Sequence, residues 1–97
     1  MADYFVVRQA CGPAWDHALP RREQDGWGEH AAFMDGLLED GFVFLGGPTG
    51  DIDTGDPLLV VEAEDEAAVR AQLDKDPWAD TVLTIRSVEA WTVWLRR

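Results

Sequence analysis

Residues 42–63, FVFLGGPTGDIDTGDPLLVVEA, decide the reading of the fold. Phe42 to Leu45 is a short apolar run that ends in Gly46, Gly47 and Pro48, and Leu58 to Ala63 is a second. The polar segment Thr49 to Asp56 joins them, so the pattern predicts a β-hairpin. A helical pattern lies on either side. Upstream, from about Arg22 to Asp40, Trp27, His30, Ala31, Met34, Leu37 and Leu38 recur at three- and four-residue intervals and share one face. Gly41 follows, and glycine tolerates the left-handed conformation that ends helices. Downstream, Asp65 to Leu73 reads as a second helix with Asp65 as N-cap, broken by Asp76, Pro77 and Trp78. Two further strands complete the chain: Asp3 to Gln9, and Val82 to Leu95 with a bend near Glu89 and Ala90. Gly12, Pro13 and Pro20 mark residues 10–20 as a loop. The order β-α-β-β-α-β predicts a single α+β domain over residues 1–97. Its class is ferredoxin-like: a four-stranded antiparallel sheet with both helices on one face.

The strands are apolar on both sides. Phe5 and Val7 lie on one face of the first strand and Tyr4 and Val6 on the other, while Leu58, Leu59, Val60 and Val61 run apolar without alternation. The last strand has Trp91, Val93 and Leu95 on one side and Val82, Val88 and Trp94 on the other. A sheet covered on one side alternates apolar with polar, so both faces are expected to be buried. Two helices cover one face only. A second copy of the chain, packed sheet to sheet, covers the other, which predicts a homodimer.

Composition bounds the partners. The formal net charge is −11, and 46% of residues are hydrophobic. Such an acidic surface repels phosphate backbones and anionic lipids, so neither nucleic acid nor membrane is an expected partner. No apolar stretch is long enough for a membrane span and no secretory signal is expected, which leaves the cytoplasm. Cys11 is the single cysteine. It has no intrachain disulfide partner and no adjacent base, so a nucleophilic role is not expected.

Four motifs carry a family likeness. Tyr4-Phe5-Val6-Val7, the helical Glu29-His30-Ala31-Ala32-Phe33-Met34, Gly46-Gly47-Pro48 and Asp76-Pro77-Trp78 resemble, in order and spacing, the YCII-related (YciI-like) proteins. The likeness runs over nearly the whole chain. It implies a dimeric α/β barrel, in which two ferredoxin-like sheets pack face to face. It also implies an active site with a histidine from the first helix and an aspartate near the second, which by motif are His30 and Asp76. Dehydrochlorination of a chlorinated hydroxyhydroquinone is the best-defined activity in that family. The chain departs from the family pattern at Trp27, where an arginine often stands three residues before the histidine. Arg22 and Arg8 are the candidates to supply that charge.

His30 lies on the apolar stripe of helix one, and burying imidazole costs free energy unless its ring nitrogens find partners. A buried Asp76 would satisfy one nitrogen and set the tautomer, leaving the other to move a proton. The competing reading is that His30 only ties the helix to the Asp76 turn, since aspartate before proline commonly begins one. Trp27 and Trp78 are read either as walls of a ligand pocket or as plain core. Gly47 and Pro48, with Gly46, are candidates for close backbone approach to a ligand. Arg21 and Arg22 read first as solvated surface, and Arg8, among apolar neighbours, as the better substrate contact. Asp51, Asp53 and Asp56 superficially suggest a calcium loop, but the displaced glycine and the following strand favour an acidic hairpin loop, and no metal is expected.

Three functions remain open. The first is a lyase or isomerase without cofactor, acting on a small aromatic or cyclic substrate through His30 and Asp76. Its pocket would be lined by Arg8, Arg22, Trp27, Gly47, Pro48 and Trp78. The second is a small-molecule binding module without turnover, and the third an accessory subunit of a larger assembly.

Overall fold

The computed structural model describes residues 3–97. β1, Asp3–Cys11, carries Phe5, Val7 and Gln9 inward, all buried, and turns Tyr4, Val6 and Arg8 to the other side. That period-two alternation sets the floor on which everything else packs. β2 (Val43–Pro48), β3 (Pro57–Ala63) and β4 (Leu83–Trp91) join β1 in one antiparallel sheet of order β2-β3-β1-β4. α1 (Trp27–Glu39) and α2 (Glu66–Leu73) are the crossovers, and both cover the same face. Leu37 of α1 and Val69 and Leu73 of α2 close over Phe5, Val7, Val43, Leu59 and Val61 as one core. This is the ferredoxin-like α+β arrangement. The Asp65 side chain caps α2 by accepting from the Ala68 N–H at 2.8 Å, and Gly41, at φ 81°, ends α1.

A second apolar cluster secures the long connection before α1. Trp15 and Trp78 pack with Val82 and Leu83. The buried Gln24 amide donates to the Asp16 and Leu19 carbonyls at 2.8 and 2.9 Å and accepts from the Asp16 N–H. Residues 12–20 thus lack regular structure yet are held in place by a buried side chain.

Four boundaries differ from the sequence reading, each for a physical reason. β1 runs on to Cys11 because Ala10 and Cys11 pair with Thr84 and Leu83 of β4. The helical segment expected from Arg22 is interrupted. Arg21–Glu23 form one 3₁₀ turn, Gln24 is extended, and Gly26 at φ 78° starts α1 at Trp27. The left-handed backbone favours glycine there, and a Cβ on Gly26 would also make a tight 3.2 Å contact with the Trp78 indole nitrogen. Gly46, Gly47 and Pro48 do not turn away from the sheet but pair with Leu59, Leu58 and Pro57. β2 is an edge strand, where proline at the end of the ladder is tolerated. Finally β4 stops at Trp91, whose partner Tyr4 is near the start of β1, so no strand remains to pair with residues 92–97. The bend expected near Glu89 lies instead at Arg86, where the register against Arg8 and Gln9 skips a residue.

The face opposite the helices is partly apolar, with Arg8, Glu62 and Glu89 among its residues. It carries Val6, Leu58 and Val60, with Tyr4 edge-on to Phe44 at 6.0 Å and Leu45 and Trp91 exposed. The C-terminal segment reaches back over part of it: the Arg96 guanidinium donates to the Tyr4 hydroxyl at 3.0 Å and lies 4.6 Å above the Phe44 ring.

Candidate active site

His30 sits in the first turns of α1 and Asp76 in the turn after α2, 46 residues apart in sequence. Both are buried. His30 Nδ1 is 2.9 Å from each Asp76 carboxylate oxygen, and Oδ1 also accepts the Trp78 N–H at 2.9 Å. That second bond closes an Asx turn through Pro77 and holds the carboxylate toward His30. Trp78 then serves twice. Its ring stacks on the imidazole at 4.1 Å and 8° between planes, and its indole N–H donates to the Asp25 carbonyl at 2.7 Å, just ahead of α1. With Nδ1 donating to the carboxylate, the tautomer is set and Nε2 remains without a protein partner among the described residues.

On its other side His30 opens onto a cavity of about 230 Å³ between α1 and the β2 edge. Since a cavity of ~150 Å³ takes benzene, this one has room for a single substituted ring. Trp27, Met34 and Leu38 wall it from the helix, and Val43, Leu59 and Leu83 from the sheet. Gly46, Gly47 and Pro48 form its rim along β2, and a Cβ on Gly46 would come within 2.5 Å of the Leu59 side chain. Besides His30, two buried polar groups line it, Gln9 and Arg21, and Asp35 stands exposed at the mouth.

The structure brings together some of the residues singled out from sequence and separates others. His30, Asp76, Trp27, Gly47 and Pro48 meet at this place. Trp78 is 2% exposed and lies beneath His30, not among the cavity walls. Arg8 is a correction. Strand alternation turns it to the open face of the sheet, where its exposed side chain is 3.9 Å from Glu89, on the side away from His30. Arg22 is a second correction. It is exposed and does not line the His30 cavity but an adjoining one of about 390 Å³, which shares Arg21, Trp27 and Pro48 with it and continues to Gly50 and Ile52.

The positive charge is supplied by Arg21, which reads from sequence as solvated surface. It is 8% exposed. Its guanidinium donates to the Ile52 carbonyl at 2.9 Å and to the Gly55 carbonyl, its Nε–H is buried without a partner, and Trp15 lies 5.6 Å from its centre. Burial pulls its pKa below the ordinary arginine value, against the opposing pull of Asp53, Asp56 and Asp51 in the hairpin loop. None of these carboxylates forms an ion pair with it. Nothing in an irregular proline-flanked segment signals such burial. Gln9 did carry a signal: it is the polar member of the inward series Phe5, Val7, Gln9.

The acidic loop is organised by hydrogen bonds of its own. Asp51 accepts from the Asp53 and Thr54 N–H groups at 2.8 and 2.9 Å, which holds its carboxyl below the usual range. Among the described residues no group of three or more histidine, cysteine or acidic side chains could hold a metal ion, and no helix is long and apolar enough to cross a membrane.

The chain is a small ferredoxin-like α+β protein with a buried histidine–aspartate pair at the edge of a ring-sized cavity. It belongs to the YCII-related domain family, whose model matches residues 7–92. Among solved structures, the chain is similar to 5-chloro-2-hydroxyhydroquinone dehydrochlorinase from Burkholderia phenoliruptrix, determined in complex with 2,5-dihydroxybenzoquinone. The TM-score is 0.66 and the identity 24%, with 92% of this chain and 93% of that one covered, so the likeness is one of fold. No curated protein matches the chain by sequence.

Proposed function

We propose that this protein is a cofactor-independent lyase or isomerase acting on a small ring substrate, with His30 as its proton-transfer group. One observation carries the reading: the Asp76 carboxylate occupies Nδ1 while His30 lines a ring-sized cavity. Nε2 is then the base that takes a proton from a substrate hydroxyl or ring carbon and the acid that returns it. Asp76 orients the imidazole and balances the imidazolium that forms, without itself taking the proton. Trp27 and Leu59 exclude water on either side of the ring. The dehydrochlorinase likeness supports a reaction of the same type, in which proton removal drives charge into the ring and an anionic leaving group departs with its bonding pair.

The working unit in this reading is a homodimer in the reducing cytoplasm, formed through the apolar sheet face that carries Val6, Leu58 and Val60.

The test is conversion of hydroxyhydroquinones and their halogenated derivatives, followed by halide release and mass spectrometry. Wild type is expected to turn over at least one, and His30→Gln to lose roughly 10²- to 10⁴-fold in kcat. Asp76→Asn offers the wrong hydrogen-bonding group to Nδ1 and is expected to lose about as much. A ligand retained with unchanged mass, and no release in any variant, would replace catalysis with the binding-module reading.

A further inference from the structure

We propose that Arg21 and Gln9 form an oxyanion subsite in the His30 cavity, so that the ring ligand binds with one oxygen deprotonated, as a phenolate or enolate. The inference rests on that cavity being the ligand site, and adds what it selects.

Three observations point to it. First, Arg21 is a buried cation without an ion-pair partner among the described residues. Buried charges are ordinarily paired, because desolvation without compensation is costly. Two carbonyls accept from its guanidinium, yet a guanidinium has five N–H groups, and the buried Nε–H has no partner. Second, Gln9 is 6% exposed and its amide makes no side-chain hydrogen bond among the described residues, although it lines the same cavity. Its amide atoms are not sealed in the core but open to the cavity, where a ligand can reach them. Third, both groups open into a largely apolar space whose other polar groups are His30 and, exposed at the mouth, Asp35. One anionic oxygen on a planar ring answers all three. It compensates the guanidinium with charge-assisted hydrogen bonds and accepts from the Gln9 amide. A neutral hydroxyl or ether would add no charge to the partial, longer-range compensation that Asp53, Asp56 and Asp51 give.

The anchor for Arg21 is the acidic hairpin loop. Its carbonyls, not its carboxylates, hold the guanidinium. A carboxylate in direct contact would have filled the subsite from within. The loop therefore positions a cation while leaving its charge for the ligand.

The experiment uses 4-nitrophenol, whose phenolate form is visible by absorbance, and 4-nitroanisole, its uncharged analogue, titrated into the 97-residue chain. Wild type is expected to bind the phenolate roughly tenfold more tightly than the anisole, and to hold it ionised at a pH where the free phenol is protonated. Arg21→Gln should remove that preference while anisole binding stays within about twofold. Arg70→Gln, with the same change in net charge on exposed α2, should not. If Arg21→Gln does not fold, Gln9→Leu and Arg21→Lys serve in its place: each should narrow the preference without weakening the anisole. Equal binding of phenolate and anisole by wild type, or no binding of either, overturns the subsite. His30→Gln separates the two readings. A phenolate preference that survives this variant, in a protein that turns over nothing, keeps the subsite and removes the catalysis.

Discussion

At the scale of single residues, Asp76 does the most. It is 6% exposed and its carboxylate meets His30 Nδ1 and the Trp78 N–H at once, so one side chain fixes a turn, a tautomer and the seat of a stacked indole. Cys11 is its opposite, a residue with chemistry but no setting for it. Burial and the Asp56 carboxylate push its thiol above the ordinary range, only partly opposed by Arg21. The neutral thiol is therefore the form the fold favours. Alkylation by iodoacetamide should be slow at neutral pH and rise only above the pH at which a free cysteine reacts. The linkage follows in sign. In that window the unfolded thiol has released its proton and the folded one has not, so stability should fall as pH rises through it. Urea melts of wild type and Cys11→Ala across that range check this, and a parallel fall in both would assign the loss to other groups.

At the scale of elements, the hairpin loop links the acidic stretch to the cavity. Gly55 is held so tightly that an added Cβ would fall 1.6 Å from the Thr49 carbonyl oxygen and 2.5 Å from that of Asp51. Its own carbonyl accepts from Arg21. Gly55→Ala must therefore move the loop, and should cost about 1–3 kcal/mol in a urea melt, as overpacking does. It should also weaken phenolate binding more than anisole binding, because the displaced carbonyls release the guanidinium. A variant as stable as wild type would show the loop to be looser than its packing. The helices were the elements most plainly written in the chain: Asp65 caps α2 and Gly41 stops α1 where the residue types demand it. The start of α1 was not, because Arg22 to Gln24 have ordinary helical propensity. What breaks the helix there is Gln24 reaching back to Asp16 and Leu19, and a glycine turned left-handed beside Trp78.

At the scale of the whole molecule, the feature that bears on assembly is the second face of the sheet. Val60 is almost fully buried on that side, yet Phe44, Leu45 and Trp91 remain about half exposed, and an apolar face of this kind is usually a contact surface. In the proposed dimer Val6 lies at its centre, paired in register with Val60. Light scattering should give wild type twice the mass of the 10.8 kDa chain. Val6→Glu, which puts an unpaired charge into that contact, should shift the mass to one chain while far-ultraviolet circular dichroism is retained. A wild type that runs as a monomer at micromolar concentration would leave the face to another partner.

The chain by itself determined the order of elements, the ferredoxin-like class, the two-faced apolar sheet and the pairing of His30 with Asp76. Periodicity, caps and breakers are local signals, and the pair came with a motif whose residues stand in order along the sequence. Tertiary structure alone decided which charge enters the cavity. Sequence context favours Arg8, among apolar neighbours, over Arg21 and Arg22, and three-dimensional placement reverses that order. Strand parity sends Arg8 to the open face, and Arg22 is left in solvent. Arg21 turns inward because two carbonyls 31 and 34 residues away and the Trp15 ring wait there to receive it. Contacts of such separation leave no trace in spacing or propensity, because each partner looks ordinary in its own segment and acquires meaning only when the sheet brings the two together.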